Sequence, residues 1–240
     1  MAYWSSLTAP PIGLMRRYAS RYNNGVKETS EHSKGAAMKN LRQSVLRIGV
    51  VVALIASAFA VKVGDPAPGF TAVDSNGKQQ RLSDYKGKYV VLEWHNQGCP
   101  YTKKHYESGN MQRLQKEWTA KGVIWLTVIS SAPGTQGFVT PSQENDYLKT
   151  MKAAPTAVIM DPGGSLGHLY AAKTTPHMYI IDPNGALIYN GAIDDHPTSD
   201  QSDIQSSKNY VSMALQEAMN GKQVTESATR PYGCSVKYKD

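Results

Sequence analysis

Short runs of β-forming residues alternate with helical patterns, and this alternation most constrains what the chain can fold into. YVVLEW (89–94) and GVIWLTVIS (122–130) are almost wholly apolar, which is typical of strands buried on both faces of a parallel sheet. A helical pattern runs between them, from Cys99 to about Lys121, with Gly109 as a predicted weak point or kink. Strands that alternate with helices predict a mainly parallel sheet covered by helices.

The flanking segments add antiparallel strands to this core. Asn76-Gly77 predicts a hairpin turn near the start, and Pro183-Asn184-Gly185 predicts a second hairpin. Thr140 and Gln143 form a capping-box pattern that opens a helix, and a last helix is predicted from about Ser206 to Met219. We therefore predict an α/β fold, a mixed sheet flanked by helices with an N-terminal β-hairpin extension.

The net charge of +7 resembles that of a nucleic-acid-binding protein, but its distribution argues against that function. Residues 1–60 hold 8 Lys/Arg and 2 Asp/Glu, whereas residues 61–240 hold 18 and 17. The folded part is thus close to neutral, so no nucleic acid partner is expected.

The segment 38–60 has the pattern of a secretory signal peptide. Met38 is followed by a basic stretch, an apolar run from Ile48 to Ala60 and a small-residue end, Ala58-Phe59-Ala60. A run of thirteen residues is short for a bilayer span, so membrane attachment is expected only if the segment stays uncleaved. Residues 1–37 have two interpretations, an upstream segment assigned in error or a targeting presequence. We expect a periplasmic or secreted protein whose fold begins at residue 61.

Cys99 lies where a buried strand gives way to a helix. Backbone N–H groups and the helix dipole at that position stabilise a thiolate, and Lys103, Lys104 and His105 are expected to add positive charge. The alternative is an inert, buried cysteine. The local pattern favours a reactive thiol.

Four stretches together resemble the thioredoxin-like superfamily: VGDPAPGF (63–70), LSDYKGKYVVLEWHNQGCPYT (82–102), TTPHMYIID (174–182) and GALIYNGAIDD (185–195). Within it the chain is most similar to the peroxiredoxin-like redoxins, which are related to alkyl hydroperoxide reductase and thiol-specific antioxidant proteins. The resemblance runs from about Val61 to Cys234 and implies that residues 61–240 form a single thioredoxin-like redoxin domain with a C-terminal tail.

The resemblance implies roles for four residues. Cys99 matches the first, nucleophilic cysteine of a Cys-x-x-Cys motif, and Thr102 stands where the second cysteine would be. Thr175-Pro176 matches a Thr–cis-Pro pair that lies against the active-site cysteine and orients a partner's backbone. The peroxidatic cysteine of true peroxiredoxins aligns with Thr102, which puts peroxidase activity by that route in doubt.

Cys234 is the other cysteine of the chain, and its surroundings, GCSVK, resemble the end of the redoxins. Three interpretations stay open: it resolves an intermediate formed on Cys99, it forms a static disulfide with Cys99, or it stays unpaired or pairs between chains. Export to an oxidising compartment makes pairing of the two cysteines reasonable.

A metal site is a weaker hypothesis. His95, His105 and His177 could gather near Cys99 and hold copper or zinc, but no spacing specifies such a site, so we predict no metal and no cofactor. Asp194, Asp195, Asp200 and Asp203 lack the glycine of a calcium loop and are expected to form a solvated acidic loop.

The function predicted from the sequence is that of an exported thiol-dependent oxidoreductase or antioxidant protein. Cys99 would be its nucleophile and Cys234 its resolving thiol, and the partner would be a thiol or disulfide protein or a peroxide. The alternative is a non-catalytic thioredoxin-like domain that binds a protein, copper or zinc, with a structural Cys99–Cys234 disulfide.

Overall fold

The chain builds a five-stranded mixed sheet, which a computed structural model describes within residues 61–239. The predictions for residues 1–37 and 38–60 lie outside the described residues. The strands are β1 (Thr71–Val73), β2 (Gln79–Arg81), β3 (Val90–Trp94), β4 (Ile124–Ile129), β5 (Ala157–Met160), β6 (Thr174–Thr175), β7 (His177–Ile181), β8 (Leu187–Gly191) and β9 (Cys234–Ser235). The α-helices are α1 (Pro100–Glu107), α2 (Asn110–Ala120), α3 (Pro141–Met151), α4 (Ser165–Leu169) and α5 (Tyr210–Met219), with 3₁₀ turns at Leu82–Tyr85 and Gln201–Gln205.

The strand order of the central sheet is β5-β4-β3-β7-β8. β3, β4 and β5 run parallel, while β7 pairs antiparallel with both β3 and β8. The predicted first hairpin forms as β1 and β2, paired antiparallel outside the central sheet. The α/β class, the mixed sheet and the N-terminal hairpin are therefore confirmed.

Two apolar layers cover the two faces of the sheet. Alternate residues along each strand point to opposite faces, so that Leu92 and its neighbour Val91 belong to different layers. The layer around Leu92 contains residues of α4 and Ala72 of β1. The layer around Val91 contains residues of α1, α2 and α5. Both faces are thus buried, which explains why β3 and β4 are apolar along nearly their whole length.

The predicted weak point at Gly109 is confirmed: the helix from Cys99 to about Lys121 is two helices, because Gly109 between them adopts the left-handed region at φ +74°. One predicted helix boundary was wrong. The last helix begins at Tyr210 rather than Ser206, because the Asn209 side chain accepts a hydrogen bond from the backbone N–H of Ser212 and caps it. The capping box of Thr140 and Gln143 is present as predicted.

Within the described residues, no helix is both long and apolar enough to cross a bilayer.

Candidate active site

Cys99 occupies the N-cap position of α1, after a short loop that follows the carboxyl end of β3. Its backbone is extended (φ −80°, ψ 126°), and Pro100 occupies the start of the helix, where its missing N–H costs no hydrogen bond. The Cys99 side chain makes no full capping hydrogen bond, but the backbone N–H of Thr102 is close enough to lower the pKa of Cys99. The first turn of α1 therefore makes the Cys99 thiol more acidic.

The cis-proline loop lies against the same sulfur. The Thr175–Pro176 peptide bond is cis, and the Cys99 thiol donates to the carbonyl oxygen of Thr175 at 3.0 Å. The Cys99 side chain is 0% exposed. Thr102 is also fully buried, and its hydroxyl has no hydrogen-bond partner among the described residues.

The C-terminal tail returns to this loop. β9 pairs antiparallel with β6, so that Cys234 lies opposite Thr175. Cys234 is close enough to the Cys99 sulfur for its thiol and backbone N–H to lower the pKa of Cys99. Both cysteines are free thiols, with Cys99 buried and Cys234 half-buried. The structure thus brings Cys99, Thr102, Thr175, Pro176 and Cys234 into one site.

The two thiols differ in acidity. Burial raises the pKa of Cys99, but hydrogen bonds from the Cys234 thiol and from the Thr102 backbone N–H outweigh burial and hold that pKa below its usual value. Burial and the neighbouring Cys99 raise the pKa of Cys234 to about 11. Cys99 is therefore the first of the two thiols to ionise as the pH rises.

The sequence predicted that positive side chains lower the pKa of Cys99, but the structure does not support that cause. The Lys104 ammonium is fully buried and lies 3.3 Å from an Asp194 carboxylate oxygen, which neutralises it. Burial lowers the pKa of His105 to about 4, so its ring is neutral near pH 7. Hydrogen bonds, rather than cationic side chains, are what favour the Cys99 thiolate.

Asp194 connects α1 to the tail. It pairs with Lys104, it lies 3.8 Å from His105, and the Tyr232 hydroxyl donates to its other oxygen. The expectation of a solvated acidic loop is therefore wrong for Asp194, which is 1% exposed. Tyr232 precedes Cys234 by two residues, so this cluster fixes the approach of the tail to Cys99.

A second polar cluster is buried on the side of the sheet covered by α1 and α2. Glu93 accepts hydrogen bonds from the Trp125 ring N–H at 2.7 Å and from the Tyr106 hydroxyl at 2.8 Å. The ring of His95 lies 3.8 Å from Glu93, and burial lowers the pKa of His95 to about 3. Burial, and then the charge of Glu93, raises the pKa of Glu144 to about 7. Glu93 interrupts the apolar run YVVLEW, and that interruption is the signal that could have revealed this cluster.

The histidines considered as metal ligands have separate surroundings. His95 adjoins Glu93, and His105 adjoins Asp194. His177 accepts from the Lys173 backbone N–H at 3.2 Å and lies 2.8 Å from the Asn190 side chain. The part of the chain that the structure describes contains no group of three His, Cys, Asp or Glu residues arranged to hold a metal ion.

Comparisons with known proteins agree with this architecture. A model of the AhpC/TSA family matches residues 63–190, just over half of the chain. Two relatives are named thiol-disulfide oxidoreductase ResA, from Bacillus subtilis (strain 168) and Geobacillus kaustophilus (strain HTA426). The first is 31% identical over 103 residues, 38% of this chain and 56% of the relative, and the second is 31% identical over 108 residues, 40% of this chain and 61% of the relative. The chain thus spans about three-fifths of the length of these curated relatives.

Two crystal structures share the fold. An uncharacterized conserved protein from Geobacillus kaustophilus aligns with a TM-score of 0.62 at 24% identity, covering 74% of this chain and 93% of that one. A hypothetical protein, SMc02350, from Sinorhizobium meliloti 1021 aligns with a TM-score of 0.63 at 18% identity, covering 75% and 97%. The predicted thioredoxin-like fold is confirmed.

Proposed function

The chain belongs to the AhpC/TSA family, and from that membership and the site geometry we propose that it is a thiol-disulfide oxidoreductase whose redox couple is Cys99 and Cys234. The observation that carries the proposal is the pairing of β9 with β6, which holds the Cys234 thiol against the sulfur of Cys99. The relatives named ResA support the same reaction class.

The reaction exchanges one disulfide for another. The reduced pair gives up two electrons and two protons and becomes the Cys99–Cys234 disulfide, while a substrate disulfide becomes two thiols. An external dithiol then reduces the couple and is itself oxidised to a disulfide. Hydrogen bonding holds the pKa of Cys99 below its usual value, which makes Cys99 the more acidic thiol of the couple.

A small peroxide is a second candidate oxidant, favoured by the complete burial of Cys99. The Cys99 thiolate would attack one peroxide oxygen and become a sulfenic acid, releasing an alcohol or water. The Cys234 thiol would then condense with the sulfenic acid, forming the disulfide and releasing water. Cys234 would act as the resolving thiol in this sequence.

We further propose that the protein is exported, on the basis of the sequence pattern of residues 38–60. Disulfide exchange in an oxidising compartment fits a chain with two cysteines held side by side. Fractionation of cells that produce the full chain, with mass determination of the mature N-terminus, tests this proposal. A protein retained in the cytosol with residues 38–60 intact would contradict it.

The redox proposal is tested with insulin as the disulfide substrate, dithiothreitol as the donor, and hydrogen peroxide in a separate assay. We expect Cys99→Ser and Cys234→Ser each to lose activity to the level of the double variant, which serves as the baseline. Wild-type activity at that baseline with both substrates would overturn the proposal.

Equilibration of the wild type in glutathione redox buffers separates a working couple from a structural disulfide. We expect the couple to change state across the buffer series. A disulfide that stays oxidised in every buffer would support the static, non-catalytic alternative.

A further inference from the structure

The two sulfurs of the couple differ in access from solvent. Cys99 is 0% exposed, whereas Cys234 is half-buried on a two-residue strand at the surface. Cys99 is enclosed by the first turn of α1, by the Thr175 carbonyl and by the tail itself. A bulky thiol outside the protein therefore meets the sulfur of Cys234 first.

The tail is fastened on both sides of Cys234. Upstream, the Tyr232 hydroxyl donates to Asp194. Downstream, the backbone N–H of Val236 donates to the Lys173 carbonyl at 3.0 Å, and the Tyr238 hydroxyl donates to the Ala172 carbonyl at 2.8 Å. The tail is therefore held in place over Cys99 by contacts on both sides of Cys234. Exposing Cys99 requires breaking the contacts on at least one side.

From this arrangement we propose that Cys234, rather than Cys99, is the sulfur at which the protein exchanges with an external protein dithiol. The proposal rests on the proposed function, because it requires the Cys99–Cys234 disulfide to form. It reverses the assignment that the sequence suggests, in which the cysteine at the helix N-terminus meets the partner.

The exchange begins at the Cys99–Cys234 disulfide and conserves atoms and electrons. One thiolate of the external dithiol attacks the Cys234 sulfur, forms a mixed disulfide with it, and expels Cys99 as a thiolate. The second thiol of the dithiol then attacks the partner sulfur that is bonded to Cys234. This forms the partner's disulfide and releases Cys234, which takes up the proton of that second thiol. The dithiol has become a disulfide, and the protein holds a thiolate at Cys99 and a thiol at Cys234. The backbone N–H of Thr102 receives the departing Cys99 thiolate.

The acidities of the two thiols favour the same direction. Disulfide exchange is faster when the departing thiol has the lower pKa, and hydrogen bonding holds the pKa of Cys99 below its usual value while that of Cys234 rises to about 11. Expelling Cys99 is therefore easier than expelling Cys234.

A cavity of about 550 Å³ lies beside the tail and offers space for a partner's side chains. Its lining includes Thr174 of β6 and Gly233, the residue before Cys234. The lining carries two carboxylates, Asp194 and Asp195, and one guanidinium, Arg230, so the cavity suits a polar peptide segment.

The test uses the oxidised wild-type protein and glutathione as the thiol probe. The reaction is stopped early with acid, the protein is denatured, free thiols are alkylated, and peptides are identified by mass spectrometry. We expect glutathione on Cys234 with the alkyl group on Cys99, in at least about tenfold excess over the reverse pattern, as a preference worth about 1.4 kcal/mol predicts. Equal amounts, or an excess of glutathione on Cys99, would overturn the proposal.

Failure of this inference is distinguishable from failure of the proposed function. If diamide or hydrogen peroxide produces no Cys99–Cys234 disulfide, both are overturned. If the disulfide forms and glutathione attacks Cys99, only the assignment to Cys234 is overturned. Gly233→Ala, which should loosen the tail, is expected to increase the share of glutathione found on Cys99, and Gly64→Ala serves as its matched control.

Discussion

Cys234 lies opposite Thr175 in the two-residue pairing of β9 with β6, and the carbonyl oxygen of that same Thr175 accepts the hydrogen bond of Cys99. The backbone of Thr175 therefore contacts Cys99 and pairs with Cys234, although the two cysteines are 135 residues apart in the sequence. The position of the tail strand is what turns two isolated cysteines into a candidate redox couple.

Gly233→Ala should disrupt this pairing. Gly233 has φ +128°, and a Cβ atom added there would collide with the backbone carbonyl of Thr175, which cannot move aside cheaply. We expect Cys99–Cys234 disulfide formation by diamide to slow by about tenfold or more, which corresponds to ~1.4 kcal/mol in the barrier. The measurement is the rate of thiol loss after mixing.

Gly64→Ala is the control for this substitution. Gly64 also has a positive φ, +96°, but a Cβ atom added there would meet no other atom within 4 Å, so this variant tests backbone strain alone. Equal rates of disulfide formation in the wild type and Gly233→Ala would contradict the role assigned to the β6–β9 pairing.

Cys234→Ala should raise the pKa of Cys99. The change removes the thiol whose hydrogen bonding lowers the pKa of Cys99. Cys234→Ser keeps a hydroxyl donor at the same place and should shift the pKa less. The pH dependence of Cys99 alkylation by iodoacetamide gives both values, and an unchanged pKa in Cys234→Ala would show that Cys234 does not stabilise the thiolate.

The elements around Cys99 were predictable because their causes are local. The apolar runs that form β3 and β4 follow from side-chain burial, and Gly109 marks the end of α1. The last helix was harder because Ser206 and Asn209 are both residue types that cap helices. A tertiary contact decides that Asn209 is the residue that caps the helix. The backbone N–H of the next residue, Tyr210, donates to the Ile193 carbonyl at 3.0 Å.

The parts of the site that the sequence did not predict depend on contacts between distant segments. Asp194 belongs to a run of acidic residues whose composition indicates solvent exposure, yet it is buried because Lys104 of α1 reaches it. Tyr232 has no local pattern that assigns it a partner. Glu144 lies in a polar helix, and nothing local indicates that its carboxyl group lies close to Glu93.

Asp194→Asn should destabilise the protein strongly. It leaves the buried Lys104 ammonium without its counter-charge, and breaking a buried pair in this way typically costs about 3–5 kcal/mol, so a loss of that size is expected. Lys104→Met in the same background should restore part of the loss by removing the unpaired charge. Urea unfolding of both single variants and the double variant measures the coupling, and additive single losses would contradict the ion pair.

Glu144→Gln should remove a pH-dependent penalty on stability. Burial and the charge of Glu93 raise the folded-state pKa of Glu144 from 4.5 to about 7, so between these values the folded protein holds a proton that the unfolded chain has released. The stability contributed by Glu144 is therefore complete below about pH 4.5, is lost as the pH rises through about 7, and stays lost above it.

The expected size of this effect is about 3 kcal/mol at most, because each pKa unit corresponds to about 1.36 kcal/mol.

The three buried histidines affect stability with the opposite sign. Burial lowers the pKa of His95 to about 3 and the pKa values of His105 and His177 to about 4. The stability of the folded protein therefore falls as the pH drops below about 6.5. The difference in unfolding free energy between Glu144→Gln and the wild type isolates Glu144, since the histidines are common to both proteins. We expect that difference to favour Glu144→Gln increasingly from about pH 4.5 to 8. A flat difference would show that the carboxyl group of Glu144 titrates normally in the folded protein.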